Sequence, residues 1–514
     1  MGQNPTISAP LVSAKPEPSI NSKVTTVVLQ MLSGTATAGE LIQDIGINAE
    51  NALFGAKSDI ATFIREFRKK NSVSQINAIP LAEAGGATAS TGSIVFAGTA
   101  TESGTIQVYI GNEDRSYPVT VAIGDTATNV GDALETLITA DTSALVSGVN
   151  TTGSVALTAS NKGTTGNDIG IRVDSSVAGI TSTLTAMTGG AGDPVMTGLD
   201  ALLTERTDVA THSKYNYSVF VDLLDGRFNS DNVALDGRVF VGDVDTKDNL
   251  VILADAENSQ SLVVIGDKPV DKDAKKGSSK FLMPYQQVAG AQSVRTLRLE
   301  DGQVITNIVA TRYSRDQFGG PALNSLPLFN TVVDCPIAPV GEEFTDNELA
   351  DLEEAGVSVL VNNFARTEVL LGTMVTTYKT DAVGNPDLTY KYLNYVDTST
   401  ACREYILNAL RIDYSQARLS KGSPVNGRDI ATEGRVRTDF MGYLAELGGE
   451  DYVLLQWGLI EETGESVAEI VKANLDIDLS PAEGTIFIDS ILPIMTQARQ
   501  ILAPLQIVFD VTKF

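Results

Sequence analysis

The sequence predicts an α+β or α/β core of mixed sheets and helices, with an inserted β-rich domain and extended terminal arms. Three observations point to it. Short β-branched runs alternate with helix-patterned segments on both sides of the region 85–192. Within that region the composition shifts to Thr, Gly, Ser, Ala and Val, with nine acidic and three basic side chains. The first 22 residues are rich in Pro, Ser, Ala and Asn, and the last ten open with the alternating run LQIVFDV. The expected division is an N-terminal arm at 1–30 (a flexible start, then a strand-prone linker), a core at 31–84 plus 193–500, an inserted outer domain at 85–192 and a C-terminal arm strand at 501–514.

The elements follow in order. KVTTVVLQML suits a strand. Ser58 suits a helix N-cap, and Ile60, Phe63, Ile64 and Phe67 form one apolar stripe behind it. Arg68, Lys69 and Lys70 fall in its last turn, where cations suit the helix dipole. QINAIPLA reads as a strand. Inside 85–192, runs such as GTIQVYIG and SVALTAS separated by Gly, Asn and Asp read as strands and turns, with one helix at about 126–139. RVFVGDV, NLVILAD and SLVVIGD are apolar runs bounded by turn residues. Thr345 with Glu348 makes a capping box, Gly356 suits the helix end, and VSVLVNN follows as a buried strand. TEVLLGTMVTTYK and YKYLNYVDT read as two longer strands around a GNPD turn. A helix then carries Tyr405, Ile406, Ala409 and Leu410 on one face.

The 514 residues suggest about three domains at roughly 150 residues each. Sixty-four acids against 37 bases give a net charge of −27, which argues against nucleic acid and against an anionic membrane surface as partners. No run reaches the ~20 apolar residues that cross a bilayer, so no membrane insertion is expected. The N-terminus lacks an apolar signal region, which implies folding in a cytoplasm. Cys335 and Cys402, in no CxxC pair, read as buried free thiols.

Chemistry is sparse. His212 is the sole histidine, with no nucleophile motif near it, and reads as a surface or core-edge residue. DVDTKDNLVILAD at 243–255 has Lys247 and Asp248 where a calcium loop needs an oxygen ligand and a glycine, so it reads as a turn. No phosphate-cradling motif is present, GGAGDP at 189–194 reads as a linker and KPVDKDAKK at 268–276 as a solvated loop. Two carboxylates could always form a hydrolytic pair, but Trp457 is the sole tryptophan and aromatics are 6%. We assign no catalytic, metal or cofactor-binding residue and expect no enzyme.

Several segments carry a resemblance. NALFGAKSDIATFIREFRKKNSVSQINAIPLAEAGGATASTGSIVFAGTAT, GTIQVYIGN, VTVAIGDTATNVGDAL and VALTASNKGTTGNDIGIRV resemble the tail sheath proteins of Mu-like contractile phages. The stretch from Lys162 to Arg172 is the most specific. The later VLVNN…VTTYKTDAVGNPDLTYKYLN segment is similar to the shared core of contractile sheaths. The resemblance runs from about Ala52 to the C-terminus and is patchy between 210 and 340. One departure is the missing Pro-Gly-aromatic motif near the N-terminus.

The resemblance implies a sheath-type core and a structural role. Copies would form hexameric rings stacked helically around a tail tube, then contract to drive the tube through the target envelope. The implied partners are the chain itself, the tail tube protein, and baseplate and tail terminator proteins. The implied location is the virion tail, assembled in the host cytoplasm. Terminal arms would complete neighbouring sheets by strand addition. The β-prone ends suit this: Val24, Val27, Val28 and Leu29 at one end, and Leu505, Ile507, Val508, Phe509 and Val511 at the other. The competing reading has both strands paired within their own core, since free edges are a liability. Arg499 and Lys513 are the candidate tube contacts on an acidic chain, and the 85–192 domain is expected to face outward. Other readings are the sheath of a phage-derived bacteriocin or injection system, a β-rich surface or adhesin protein, and a cytoplasmic hydrolase.

Overall fold

A computed structural model of the chain describes residues 24–202, 207–228, 236–268, 283–303, 331–333, 335, 337, 341–421, 430–448, 455, 464–481 and 485–493. The chain forms two compact units, one holding the main sheet and the inserted domain, the other built on residues 398–495.

The chain enters the first unit as β1 (Val24–Gln30), almost wholly buried. The short α1 (Glu50–Phe54) and α2 (Asp59–Lys70) follow. Ser58 caps α2 by accepting the Ala61 N–H at 3.2 Å, which satisfies one of the helix's orphan donors. The stripe of Ile60, Phe63, Ile64 and Phe67 is buried, as its spacing requires. β2 (Ile76–Leu81) returns the chain to the sheet.

The next strands form sheets of their own. They are β3 (Ala89–Gly98), β4 (Gly104–Ile110), β5 (Asn112–Val121), β6 (Val146–Thr151), β7 (Ser154–Lys162), β8 (Ile171–Ser175) and β9 (Ile180–Thr188). One sheet has the order β6-β7-β3-β9 and the other β5-β4-β8. Helix α3 (Ala127–Ala140), capped by Thr126 with Asn129, buries Val130, Leu134 and Ile138. A 3-10 helix spans Thr164–Asp168.

The main sheet resumes with β10 (Thr207–His212), α4 (Ser218–Phe228), β11 (Val239–Val244), α5 (Lys247–Asp255), β12 (Leu262–Asp267) and α6 (Pro284–Gln303). It closes with β13 (Val332–Val333), α7 (Asp346–Ala355), β14 (Val357–Asn362) and β15 (Val369–Leu371). The order is β13-β15-β14-β12-β11-β10-β1-β2, parallel from β14 to β2 and antiparallel at β15 and β13. Runs buried on both faces suit such a sheet.

The second unit takes over along α8 (Leu393–Tyr414). It holds β16 (Arg418–Leu419), β17 (Ile430–Ala431), α9 (Glu433–Leu447), α10 (Val467–Ala473) and a hairpin of β18 (Asp476–Ser480) and β19 (Thr485–Asp489). It has its own core, including Tyr405, Val436, Phe440 and Leu444.

The α7 capping box and Gly356 in the left-handed region are as expected. Five features differ from expectation. The stretch 193–500 is not one body with 31–84, because residues from 398 onward bury a separate core. NLVILAD lies in a helix: Thr246 caps α5, and Leu250 and Ala254 are buried one turn apart. The two long strands at 367–379 and 390–398 reduce to β15 and an isolated bridge from Val375 to Tyr392, with a second bridge, Thr380 to Pro386, in the turn between them, and NYVDT enters α8. Cys335 is only half-buried, while Cys402 is buried.

The fifth concerns the N-terminal strand. Val24, Val27, Val28 and Leu29 lie inside the main sheet, with β10 on one side of β1 and β2 on the other. Both edges of this strand are filled by its own chain, so it has no free edge for a neighbour. The C-terminal candidates Leu505, Ile507, Val508, Phe509 and Val511, the tube-contact candidates Arg499 and Lys513, residues 1–23 and Trp457 lie outside the described residues.

Candidate functional site: the joint between core sheet and inserted domain

The chain order of the parallel strands sets the position. β1 leads to β2 on one side, and β10 then lies on its other side. The direction of winding reverses between β1 and β10. In open α/β sheets the ligand crevice opens outside the carboxyl ends of the strands at such a reversal. His212 ends β10, and Asp59 opens α2 at the same end.

Here the inserted domain occupies the place. Thr165, in the 3-10 helix, donates its hydroxyl to Asp59 Oδ2 at 3.1 Å. Tyr285 of α6 donates to the other oxygen at 3.2 Å. Asp168, at the end of the 3-10 helix, lies 3.3 Å from His212 Nε2 and pairs with Lys214. The Asn161 amide donates to the Lys57 carbonyl at 3.0 Å. Lys162 meets Glu83 at 3.2 Å on the rim. The most specific stretch of the sequence, Lys162 to Arg172, therefore supplies much of a joint.

The electrostatics are those of a closed polar core. His212 has no exposed surface, which corrects the expectation of a surface or core-edge residue. Its Nδ1 accepts the Lys214 backbone N–H at 3.1 Å, which leaves Nε2 as the ring nitrogen that faces Asp168. Burial would raise Asp168, but His212 and Lys214 outweigh it and hold the carboxyl below its usual range. Asp59 goes the other way. Burial pushes it up to about 6, against the pull of His212 and its hydrogen bonds to Thr165 and Tyr285. Burial also raises the Tyr215 and Tyr285 phenols.

The Ser213 hydroxyl is 3.4 Å from His212 Nδ1, which invites comparison with a nucleophile and its base. Its partners argue otherwise. Ser213 donates to Asp243 at 3.0 Å, and the ring acceptor already holds a backbone N–H. Both hydrogen bonds compete with a Ser–His pairing, and the imidazole faces no solvent.

A second buried network, wholly within the first unit, ties the sheet to α6 and to Asp397. Arg295 makes a forked contact to Asp397, at 2.8 and 3.1 Å, and also binds Asp208. Burial would lower its basicity, but Asp208 and Asp397 more than reverse this. Asp208 also accepts the Arg238 backbone N–H at 2.8 Å. A cavity of about 390 Å³ lies outside the ends of β12 and β14, between Asp267, Phe344, Val361 and Phe364. Its rim charges Glu343 and Arg366 are paired at 2.8 Å. Among the described residues no group of three His, Cys, Asp or Glu side chains could hold a metal, and no helix is long and apolar enough to cross a membrane.

Sequence reasoning missed Asp59, Thr165, Asp168, Lys214, Arg295 and Asp397 as interacting groups. The partners of Thr165 and Arg295 lie 106 and 102 residues away, and no local pattern reports such pairs. The one usable signal was the specificity of the 162–172 stretch.

No family model matches the chain. Over 193 residues it is 33% identical to the Mu-like prophage FluMu tail sheath protein of Haemophilus influenzae, covering 36% of this chain. The aligned segment spans 39% of that relative's length. Among solved structures, the sheath tail protein of Desulfitobacterium hafniense aligns at TM-score 0.44 and 11% identity, covering 93% of this chain and 95% of that one. The sheath tail protein of Listeria innocua aligns at 0.45 and 12%, covering 93% and 92%. A chain of the anti-feeding prophage baseplate in its contracted state aligns at 0.43 and 11%, covering 99% and 100%.

Proposed function

We propose that this chain is a structural tail sheath subunit, which polymerises as stacked hexameric rings around a tail tube and contracts to drive the tube through a target envelope. The observation that carries this reading is the 33% identity over 193 residues to a Mu-like prophage tail sheath protein. The joint supports a structural rather than a catalytic role. Its polar groups engage one another and hold the inserted domain to the core sheet.

On this reading the partners are other copies of the chain, a tail tube protein, and baseplate and terminator proteins. The location is a virion tail, assembled in the host cytoplasm. Strand addition between copies falls to residues 505–511, since β1 has both edges filled. The β18–β19 hairpin suits the acceptor role. It has two strands only, Phe487 is half exposed, and a third strand stabilises such a hairpin. Arg499 and Lys513 remain the proposed tube contacts, as cations on a chain of net charge −27.

Negative-stain electron microscopy of concentrated protein, with and without the tube protein, tests the reading. Striated hollow cylinders are expected, and dispersed particles in both conditions would overturn it. Removing residues 505–514 should abolish long cylinders. Reversing the charge of both Arg499 and Lys513 should weaken tube binding but leave self-assembly intact.

A further inference from the structure

The β6-β7-β3-β9 sheet of the inserted domain presents an outer face of unusual composition for so acidic a chain. Its register sets Thr151, Ser154, Val95 and Thr183 side by side in one row. The next row is Val149, Ala156, Ser93 and Thr185. Every exposed residue of these four strands is Thr, Ser, Ala, Val or Gly, except Lys162 at the end of β7. None of the domain's nine acidic residues falls within these four strands.

The end strands add a second observation. A sheet that stays in water protects its edge strands with charges or proline. β6 and β9, the two ends of this sheet, carry neither. The β6 edge is met at one point, where Glu135 of α3 accepts the Asn150 N–H at 2.8 Å, but the face itself, of small β-branched and hydroxyl side chains without charge, is suited to being covered by protein.

We propose that this outer face is a contact surface between neighbouring copies of the chain, and this rests on the reading of the chain as a self-assembling sheath subunit. Charge selects the occupant. Copies of net charge −27 repel one another, and a face free of carboxylates is where two can approach without burying like charges. The contact is heterologous, because subunits related by rotation and rise share no two-fold axis. The face therefore meets a different patch on the neighbour's inserted domain. Small side chains allow close approach, and threonine hydroxyls desolvated there can find partners in one another.

The test uses the full chain with two exposed positions changed on non-adjacent strands, Val149→Glu with Thr183→Glu. A parallel pair, Val149→Lys with Thr183→Lys, lowers the net negative charge and so separates burial from general repulsion. A control pair, Thr136→Glu with Thr139→Glu, adds the same charge on α3. Unchanged circular dichroism and melting establish that each variant folds. Assembly is read by pelleting and electron microscopy over a concentration series. Both face pairs should raise the concentration for half-assembly at least tenfold, while the control stays within about twofold of the wild type. Assembly of the face pairs like the wild type would overturn the contact and leave the sheath reading standing. A wild-type chain that never polymerises, with or without tube protein, would overturn both.

Discussion

Thr165 of the inserted domain donates its hydroxyl to Asp59, the first residue of α2, across 106 positions of sequence. That bond sits where an open α/β sheet ordinarily leaves a ligand crevice. The consequence is mechanical. The inserted domain is held to the core by buried polar contacts as well as by its two connections.

Asp59 makes the joint sensitive to pH. Its folded pKa of about 6 lies above the usual 3.8, so the fold favours the protonated form. The contribution is fully present below about pH 4 and is lost as pH rises through about 6, a span worth ~3 kcal/mol at 1.36 kcal/mol per unit. The groups facing it are His212, Asp168, Tyr285 and Tyr215. Asp59→Asn removes the charge and keeps one acceptor, while its amide NH2 becomes a donor that the other hydroxyl, of Thr165 or Tyr285, can accept. Relative to wild type it should gain stability between pH 4 and 7, read as a difference in melting temperature across that range.

Asp168→Ala removes the carboxylate that His212 and Lys214 share. Lys214 and Asp168 are partly exposed, so the loss should be about 1–2 kcal/mol, less than for a fully buried pair. The folded pKa of Asp168 is depressed, so its contribution is present above the usual carboxylate range and lost as pH falls through the folded value. Hydrogen exchange should rise over residues 161–172 and at the end of β10, and should stay unchanged in the 398–495 unit. Equal exchange in both proteins would show that the pair does not hold the joint.

Arg295→Met leaves Asp208 and Asp397 buried without their main partner, at a cost of about 3–5 kcal/mol. Arg295→Lys should recover only part of this, since an ammonium cannot reproduce the forked contact. Soluble yield and melting temperature should rank wild type above Lys and Lys above Met.

Gly356→Ala tests the turn from α7 into β14. Gly356 has φ +87°, and an added Cβ would meet the Thr376 carbonyl oxygen at 2.8 Å. Left-handed strain and that contact together should cost about 1–2 kcal/mol, visible in denaturant unfolding.

The Cys402 thiol is pushed up to about 12 by burial, and Cys335 is only half-buried. Ellman's reagent at pH 8 should label Cys335 first and Cys402 only after denaturation, because the thiolate is the reactive form.

Local signals were legible wherever one side chain answers a backbone group a few residues away. Ser58 caps α2 and Thr345 pairs with Glu348 because both partners lie within one helical turn. The strand character of β1, the shift in composition at Gly85 and the poverty of catalytic motifs were likewise open to reading. NLVILAD was misread because a short apolar run fits either period, and Thr246 three residues before it was the deciding cap. What only the tertiary structure decided was pairing at long range. β1 lies between β10 and β2 because Val27 finds Ala210 and Ala78 beside it, not because of anything in VTTVVLQ itself. His212 is a buried joint residue because Asp168 reaches it from another domain. Strand neighbours and ion pairs of this kind depend on how distant segments are brought together, and a one-dimensional pattern of residue types does not encode which segment arrives.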